Sequence, residues 1–259
     1  MDKVIIFADH QIGFDITQLI LQWEASGKEA FTIEAIFTNK QPQDAWWNPI
    51  RDLNDNWNTP IYEYDPEFAY NFVNGIQCDF LLLLSWRHIV PDKILKCIRK
   101  NSINLHYSLL PLHRGVYPVN WAIQAGDEKT GITFHIVTSG IDTGAIIDQK
   151  EIKIQPTDNA KTLLTKLDKL AIKRFSYIWQ IRDKWDNISY EQKGKTSYHS
   201  KKDFIETNRI DPSKTYRAAE LINLLRGKTF RKEGSSAYFV DPKTDIKYSV
   251  SIKIKELKN

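Results

Sequence analysis

INLHYSLLPLHRG, residues 103–115, starts as a strand and breaks into a loop rich in turn-forming and charged residues. Side chains alternate across a strand, so Asn104 and His106 share a face. Upstream, Phe80 to Leu84 is a continuous apolar run bounded by polar residues, which suits a strand buried on both faces of a parallel sheet. Val4 to Phe7 and Phe31 to Phe37 read as further strands, and Pro60 to Tyr64 as a short one. Helical spacing links Ile16, Leu19, Ile20 and Trp23, with Asp15 as the cap. The same spacing links Phe68, Phe72 and Val73, and then Ile94, Leu95 and Ile98. This alternation predicts an α/β chain with a doubly wound, mostly parallel open sheet, where ligands bind beyond the carboxyl ends of the strands. Asn104 and His106 stand at such an end.

Downstream, a helix is expected around Val119 to Ala125. Gly131 to Val137 and Ala145 to Ile154 read as paired strands around the loop Thr138 to Gly144. Pro156 and Asp158 open a long amphipathic helix carrying Leu163, Leu164, Leu167, Leu170, Phe175 and Ile178 on one face. Between about Asp186 and Asp203 the pattern weakens, which marks a joint between a catalytic domain, 1–190, and a small C-terminal region, 191–259. That region reads as a helix over Tyr216 to Leu225, then a β-hairpin joining Ala237–Val240 to Ile246–Ile254 through DPKTD. Such a hairpin is too small to stand alone and must pack on the rest of the chain or on a second subunit.

The 259 residues hold 42% hydrophobic and 26% charged residues, an ordinary soluble composition. No apolar run approaches the roughly 20 residues of a membrane helix, and residues 1–8 lack the features of a signal peptide. A cytoplasmic protein without a membrane partner is expected. Cys78 and Cys97 belong to no ligand cluster, so neither a metal site nor a disulfide framework is expected. Charge is uneven: residues 1–190 carry 20 Lys and Arg against 23 Asp and Glu, and residues 191–259 carry 16 against 9, giving −3 and +7. A basic tail suits an anionic partner, a nucleotide diphosphate or a nucleic acid, or is simply a solvated surface.

Asn104, His106 and Asp142 are three groups that an acyl transfer to an amine uses. An imidazole accepts the proton of the attacking amine near neutral pH, a carboxylate beside it holds the ring, and an amide NH₂ stabilises the carbonyl oxygen as it gains charge. Such a donor is worth on the order of 10² to 10³ in rate. Taken singly, Asn-x-His is also a structural hydrogen-bonding pair, and Asp142 between glycines is also a turn former.

The joint pattern of INLHYSLLPLHRG and TGITFHIVTSGIDTGAIIDQ, with Asn-x-His, SLLP-x-x-RG and IDTG in order, resembles the formyltransferases that use 10-formyltetrahydrofolate. The resemblance covers about residues 1–185 and implies the formyltransferase, Rossmann-like fold, no metal, and a catalytic triad of Asn104, His106 and Asp142. It also implies a pterin pocket built from Trp86, Arg87, His88 and Ile89 and from Ser139, Gly140 and Ile141. Arg87 reads equally as a surface arginine. His135, on the strand leading to Asp142, either braces that carboxylate or packs in the core.

Relatives differ in the amine they formylate. Glycinamide ribonucleotide formyltransferases carry a Gly-rich loop where this chain has ADHQIGFDIT, with the single Gly13. Methionyl-tRNA formyltransferases share SLLPxxRG but carry a larger C-terminal barrel. The tail SYHSKKDF, RID, AAELINLLRGKTF and hairpin is similar to that of the sugar N-formyltransferases. That likeness implies a dTDP-linked 3-amino or 4-amino dideoxyhexose as substrate, for bacterial surface polysaccharide (O-antigen), a homodimer, and no nucleic acid. Arg114 is a candidate for the pyrophosphate; Phe230 and Tyr238 are candidates for stacking on thymine, or hairpin core residues. The alternatives are methionyl-tRNA formylation and a non-catalytic nucleotide-sugar binding protein.

Overall fold

Phe80–Leu84 lies at the centre of a seven-stranded sheet with every residue buried. The computed structural model describes residues 1–43, 45–55, 57–229 and 236–257. In chain order the elements begin with β1 (Asp2–Ala8), α1 (His10–Ser26), β2 (Phe31–Thr38), β3 (Ile61–Glu63), α2 (Pro66–Ile76), β4 (Phe80–Leu84), α3 (Asp92–Leu95) and β5 (Asn101–His106). They continue with β6 (Arg114–Gly115), α4 (Pro118–Ala125), β7 (Lys129–Ile136), β8 (Ile146–Lys153), α5 (Ala160–Gln180) and α6 (Trp185–Ile188). The last are β9 (Tyr198–His199), α7 (Lys201–Glu206), α8 (Ala218–Lys228), β10 (Ala237–Val240) and β11 (Lys247–Val250). The large sheet has the order β3-β2-β1-β4-β5-β7-β8. β1 pairs in parallel with β2 and β4, β2 with β3, and β4 with β5. The doubly wound, mostly parallel α/β sheet expected from the sequence is therefore present.

By compactness the chain divides into two units, with boundaries inside β7, β8 and α5. One comprises Met1–His106, Phe134–Asp148 and Ala171–Gln192; the other comprises Tyr107–Thr133, Gln149–Leu170 and Lys193–Asn259.

In the first unit, alternation along the strands builds two apolar faces. Ile5 and Phe7, Ala35 and Phe37, and Leu81 and Leu83 join Ala69 and Val73 of α2 and Ile94 of α3 in one buried cluster. On the opposite face, the aromatic rings of Phe31 and Phe80 meet Trp179 edge-on, and Phe80 also meets Trp185. Burial on both faces is why β1 and β4 are written as unbroken apolar runs rather than alternating ones.

Two expectations need correction. The cap of α1 is Asp9, whose side chain accepts from His10 N, and Asp15 lies inside the helix, where it accepts from Gln11 Nε2. The helix starts directly at the end of β1, ahead of the first residue of its apolar stripe. Residues 94–98 do not make a continuous helix: α3 is a single turn ending at Leu95. Gly13, the single glycine of ADHQIGFDIT, is a buried residue of α1. A Cβ there would lie 3.1 Å from Leu84 O and 3.3 Å from Ala8 Cβ, so the glycine permits close packing of the helix on the sheet.

In the second unit α8 packs on α4. Asn120 Nδ2 donates to Gly227 O (2.7 Å), while Arg226 donates from Nε to Asp158 O and from Nη2 to Gln155 O, both at 2.8 Å. The hairpin β10–β11 is antiparallel, as expected, though its second strand is shorter than Ile246–Ile254. Tyr238 N donates to Asn208 O (2.8 Å) and Ile210 N to Tyr238 O (2.7 Å), which ties β10 to the chain after α7.

Lys228, at the end of α8, is buried, with Nζ 2.6 Å from Phe204 O and 3.2 Å from the centre of the Phe204 ring. Burial pushes its ammonium down from the ordinary 10.5 to about 7. Between those values the unfolded chain holds a proton that the folded chain has released, so this group makes stability rise with pH through that window and is a constant penalty below it. Urea unfolding at pH 7 and pH 9.5 is expected to show a smaller rise in stability for Lys228→Met than for the parent chain.

Candidate active site

β5 delivers its last even-numbered residues, Asn104 and His106, to the carboxyl end of the sheet, beside the loop that follows β7. In the first unit these residues meet Asp142 and His135. Asn104 Nδ2 donates to Asp142 Oδ1 at 3.2 Å and to His135 Nε2 at 3.1 Å. His106 Nδ1 lies 3.5 Å from Asp142 Oδ2, long for a hydrogen bond but within reach of a charge contact. His135 Nδ1 sits 2.8 Å from Ile136 O, and a carbonyl only accepts, so His135 carries its proton on Nδ1 and offers Nε2 to Asn104. The His135 and His106 rings are 6.5 Å apart. His106, His135 and Asp142 expose only 6%, 3% and 11% of their side chains, so the carboxylate depends on Asn104 and His106 in place of water.

With Nδ1–H directed at Asp142, His106 presents Nε2 as its basic nitrogen. A carboxylate beside an imidazole stabilises the cation that forms when Nε2 takes a proton. The arrangement is thus a proton acceptor with a built-in counter-charge, next to an amide donor.

Asp142 adopts φ 51°, the left-handed region that Asp tolerates better than most residues. The loop that holds it is tight. Thr138 Oγ1 and Thr143 Oγ1 share a hydrogen bond (3.0 Å), and a Cβ on Gly144 would sit 1.8 Å from Ile136 O. From the stretch read as a joint, Gln192 Nε2 donates to both Asp142 O and Gly144 O, each at 2.8 Å. Sequence reasoning missed this residue, because a lone Gln in a polar segment carries no periodic or motif signal.

The segment Trp86–Ile89 follows β4, the strand adjoining β5. Trp86 packs among Phe7, Tyr64 and His88, with ring centres 4.8–5.3 Å away. Its indole Nε1 is buried and lacks a hydrogen-bond partner among the described residues. Arg87 forms an ion pair with Asp9, a buried carboxylate that also accepts from Asn39 Nδ2 (3.0 Å). His88 Nε2 lies 2.6 Å from Asn39 Oδ1 and so donates to it; burial, then the charge of Arg87, lower the pKa of its ring. Ile89 is 71% exposed, and Ser139, Gly140 and Ile141 are exposed. Trp86 and Val137, the residue before the loop, pack against one core cluster. An orphaned indole N–H among aromatic rings suits a flat heteroaromatic ligand that brings an acceptor. Asp9 and Asn39, which hold this segment, gave no motif signal either.

Arg114 and Tyr238 lie in the second unit, on different small sheets. Arg114 belongs to β6, parallel to β9, with its backbone N donating to Ser197 O (2.9 Å). Tyr238 belongs to β10, and Lys247 Nζ stands 3.7 Å from its ring centre. Phe230 lies outside the described residues. Among the described residues no group of three or more His, Cys, Asp or Glu could hold a metal ion, and no helix is long and apolar enough to cross a membrane.

Residues 14–177 match the family model described as formyl transferase, which is more than half the chain. The chain belongs to the formyl transferase family. Residues 203–256 match a second model, the N-formyltransferase dimerization C-terminal domain. Among curated relatives, the bifunctional polymyxin resistance protein ArnA of Wigglesworthia glossinidia brevipalpis is 27% identical over 94% of this chain. Methionyl-tRNA formyltransferase of Francisella tularensis subsp. novicida is 34% identical over 67% of it. The chain spans 37% and 58% of the lengths of these two proteins. Among solved structures, the sugar 3N-formyl transferase WlaRD, crystallised with dTDP and 5-N-formyl-THF, has a TM-score of 0.72 at 26% identity, covering 89% of this chain and 80% of that one.

The steric limit at Gly144 is directly testable. Gly144→Ala is expected to cost more than about 2 kcal/mol in urea unfolding, since the clash is with backbone. Gly75→Ala, in α2 with nothing within 4 Å of the added carbon, is expected to gain up to about 1 kcal/mol.

Proposed function

We propose that this formyl transferase moves the formyl group of 10-formyltetrahydrofolate to the amine of a dTDP-linked 3-amino or 4-amino dideoxyhexose, a step in making bacterial surface polysaccharide. The observation that carries the reading is the convergence of Asn104, His106 and Asp142 within one unit, at the carboxyl end of the sheet. When bound, the folate supplies an activated formyl group. His106 Nε2 takes the proton of the sugar amine as the amine nitrogen bonds to the formyl carbon, and the bond from that carbon to the folate nitrogen then breaks, the proton passing to the departing nitrogen to leave tetrahydrofolate and the formamide. Asp142 holds the imidazole, balances the charge it acquires and assists that departure. Asn104 donates an N–H to the formyl oxygen, giving up one of the two contacts its NH₂ makes in this structure. Trp86, Arg87, His88 and Ile89, with Ser139, Gly140 and Ile141, hold the pterin; the orphaned Trp86 N–H offers it a donor.

The acceptor assignment draws support from WlaRD and its bound dTDP, and from the net +7 of residues 191–259. We assign catalysis to residues 1–190, and sugar-nucleotide contacts and dimerisation to 191–259, in line with the dimerization-domain match. Arg114 faces the pyrophosphate in this reading, and Tyr238 is a stacking candidate for thymine. A second reading, formylation of methionyl-tRNA, is favoured by the 34% identity to a methionyl-tRNA formyltransferase.

An endpoint mass assay separates the two. Purified protein is incubated with 10-formyltetrahydrofolate and, in separate tubes, dTDP-3-amino sugar, dTDP-4-amino sugar and methionyl-charged initiator tRNA. A formyl gain on one sugar nucleotide is expected. Turnover should fall about 10² to 10⁴-fold in His106→Ala and about 10² to 10³-fold in Asn104→Ala. Gain on the tRNA alone would overturn the sugar reading.

A further inference from the structure

We infer that Gln192 is a positioning residue, whose side-chain amide holds the 138–144 loop in the conformation that presents the Asp142 carboxylate to His106 and Asn104. The inference rests on the reading of Asp142 as a member of the reacting group, and it adds a residue outside the 14–177 family match.

Three observations within the first unit carry it. First, Asp142 sits at φ 51°, a conformation that an L-residue adopts at a cost and that relaxes unless its surroundings hold it. Second, the carbonyls of Asp142 and Gly144 both accept from Gln192 Nε2 at 2.8 Å. A side-chain amide has two N–H groups, so one Gln ties together both ends of the three-residue turn around Thr143. Third, Gln192 is itself anchored. Ile146 N donates to Tyr190 O (2.8 Å) and Tyr190 N to Ile146 O (2.9 Å), so the segment bearing Gln192 is laced to the first residue of β8.

The carboxylate has little slack. Oδ1 accepts from Asn104, and Oδ2 faces His106 at 3.5 Å. A change in the backbone of residue 142 swings both oxygens, and the longer contact, to His106, is the first to be lost. The titratable groups facing His106 include Asp142 on the loop and His135 on β7. Withdrawal of the carboxylate therefore leaves the His106 cation less stabilised, and the ring protonates at lower pH.

The test uses the full chain with Gln192→Met, which keeps length but removes both donors, and Asp142→Asn as reference. The His106 ring is titrated by ¹⁵N NMR, beside kcat and KM for both substrates. In Gln192→Met the His106 midpoint is expected to move down by about half or more of the shift seen in Asp142→Asn. kcat should fall roughly ten-fold or more, as misplacement of a reacting group does, with both KM values within about two-fold. An unchanged His106 midpoint, or a loss expressed in KM alone, overturns the inference. Should Gln192→Met fail to fold, Gln192→Ala gives the same readings, because it removes both donors without placing a charge beside His106. Full turnover by Asp142→Asn would instead overturn the functional reading, and the His106 titration would still decide whether Gln192 sets the place of Asp142.

Discussion

One carboxylate constrains the first unit more than any other group. Asp142 brings a negative charge into a place with little water, and a charge so placed persists only where polar partners replace its hydration. The amide of Asn104 and the imidazole of His106 are those partners. Meeting that demand fixes much else. Two strands must end side by side, a loop must turn back on itself through a left-handed residue, and Gly144 must leave room for the Ile136 carbonyl. The chemistry is the same arrangement seen from outside, since a charge held by an imidazole is ready to balance the proton that the imidazole accepts.

The sheet was legible because its strands are buried on both faces. A strand such as β4 cannot use polar residues, so FLLLL stands out from the chain around it. Helices read less well where the cap is separate from the apolar stripe. The stripe of α1 begins at Ile12, whereas the cap is set by the end of β1, and this is why Asp9 replaced Asp15. The single turn at Asp92–Leu95 has the spacing of a helix but not its length. Spacing reports which side chains point one way, not how long the hydrogen-bond ladder runs.

The candidate site was legible in the same partial way. Asn104 and His106 are neighbours on one strand, and their common face follows from the pleat alone. Asp142 was reachable through the family motif, but no rule of local structure brings a loop residue to a strand 36 positions earlier. Gln192, Asp9 and Asn39 were illegible because each acts through backbone or side-chain contacts that arise only after the sheet has formed. The identity of the acceptor amine belongs to this class as well, since shape in a pocket is a property of many residues and the signature of none.

The quoted stretch crosses a border between the two units at the peptide bond joining His106 to Tyr107. Asn-x-His belongs to one unit, and the SLLPLHRG that follows is bound into the other through Thr133 and Gln149, which contact Ser108 and Leu110. Asn104, His106, His135 and Asp142 thus all belong to the first unit. The chain changes unit at four further places, inside β7, inside β8, inside α5 and after Gln192, so neither unit is a continuous length of chain that could be cut out and kept whole.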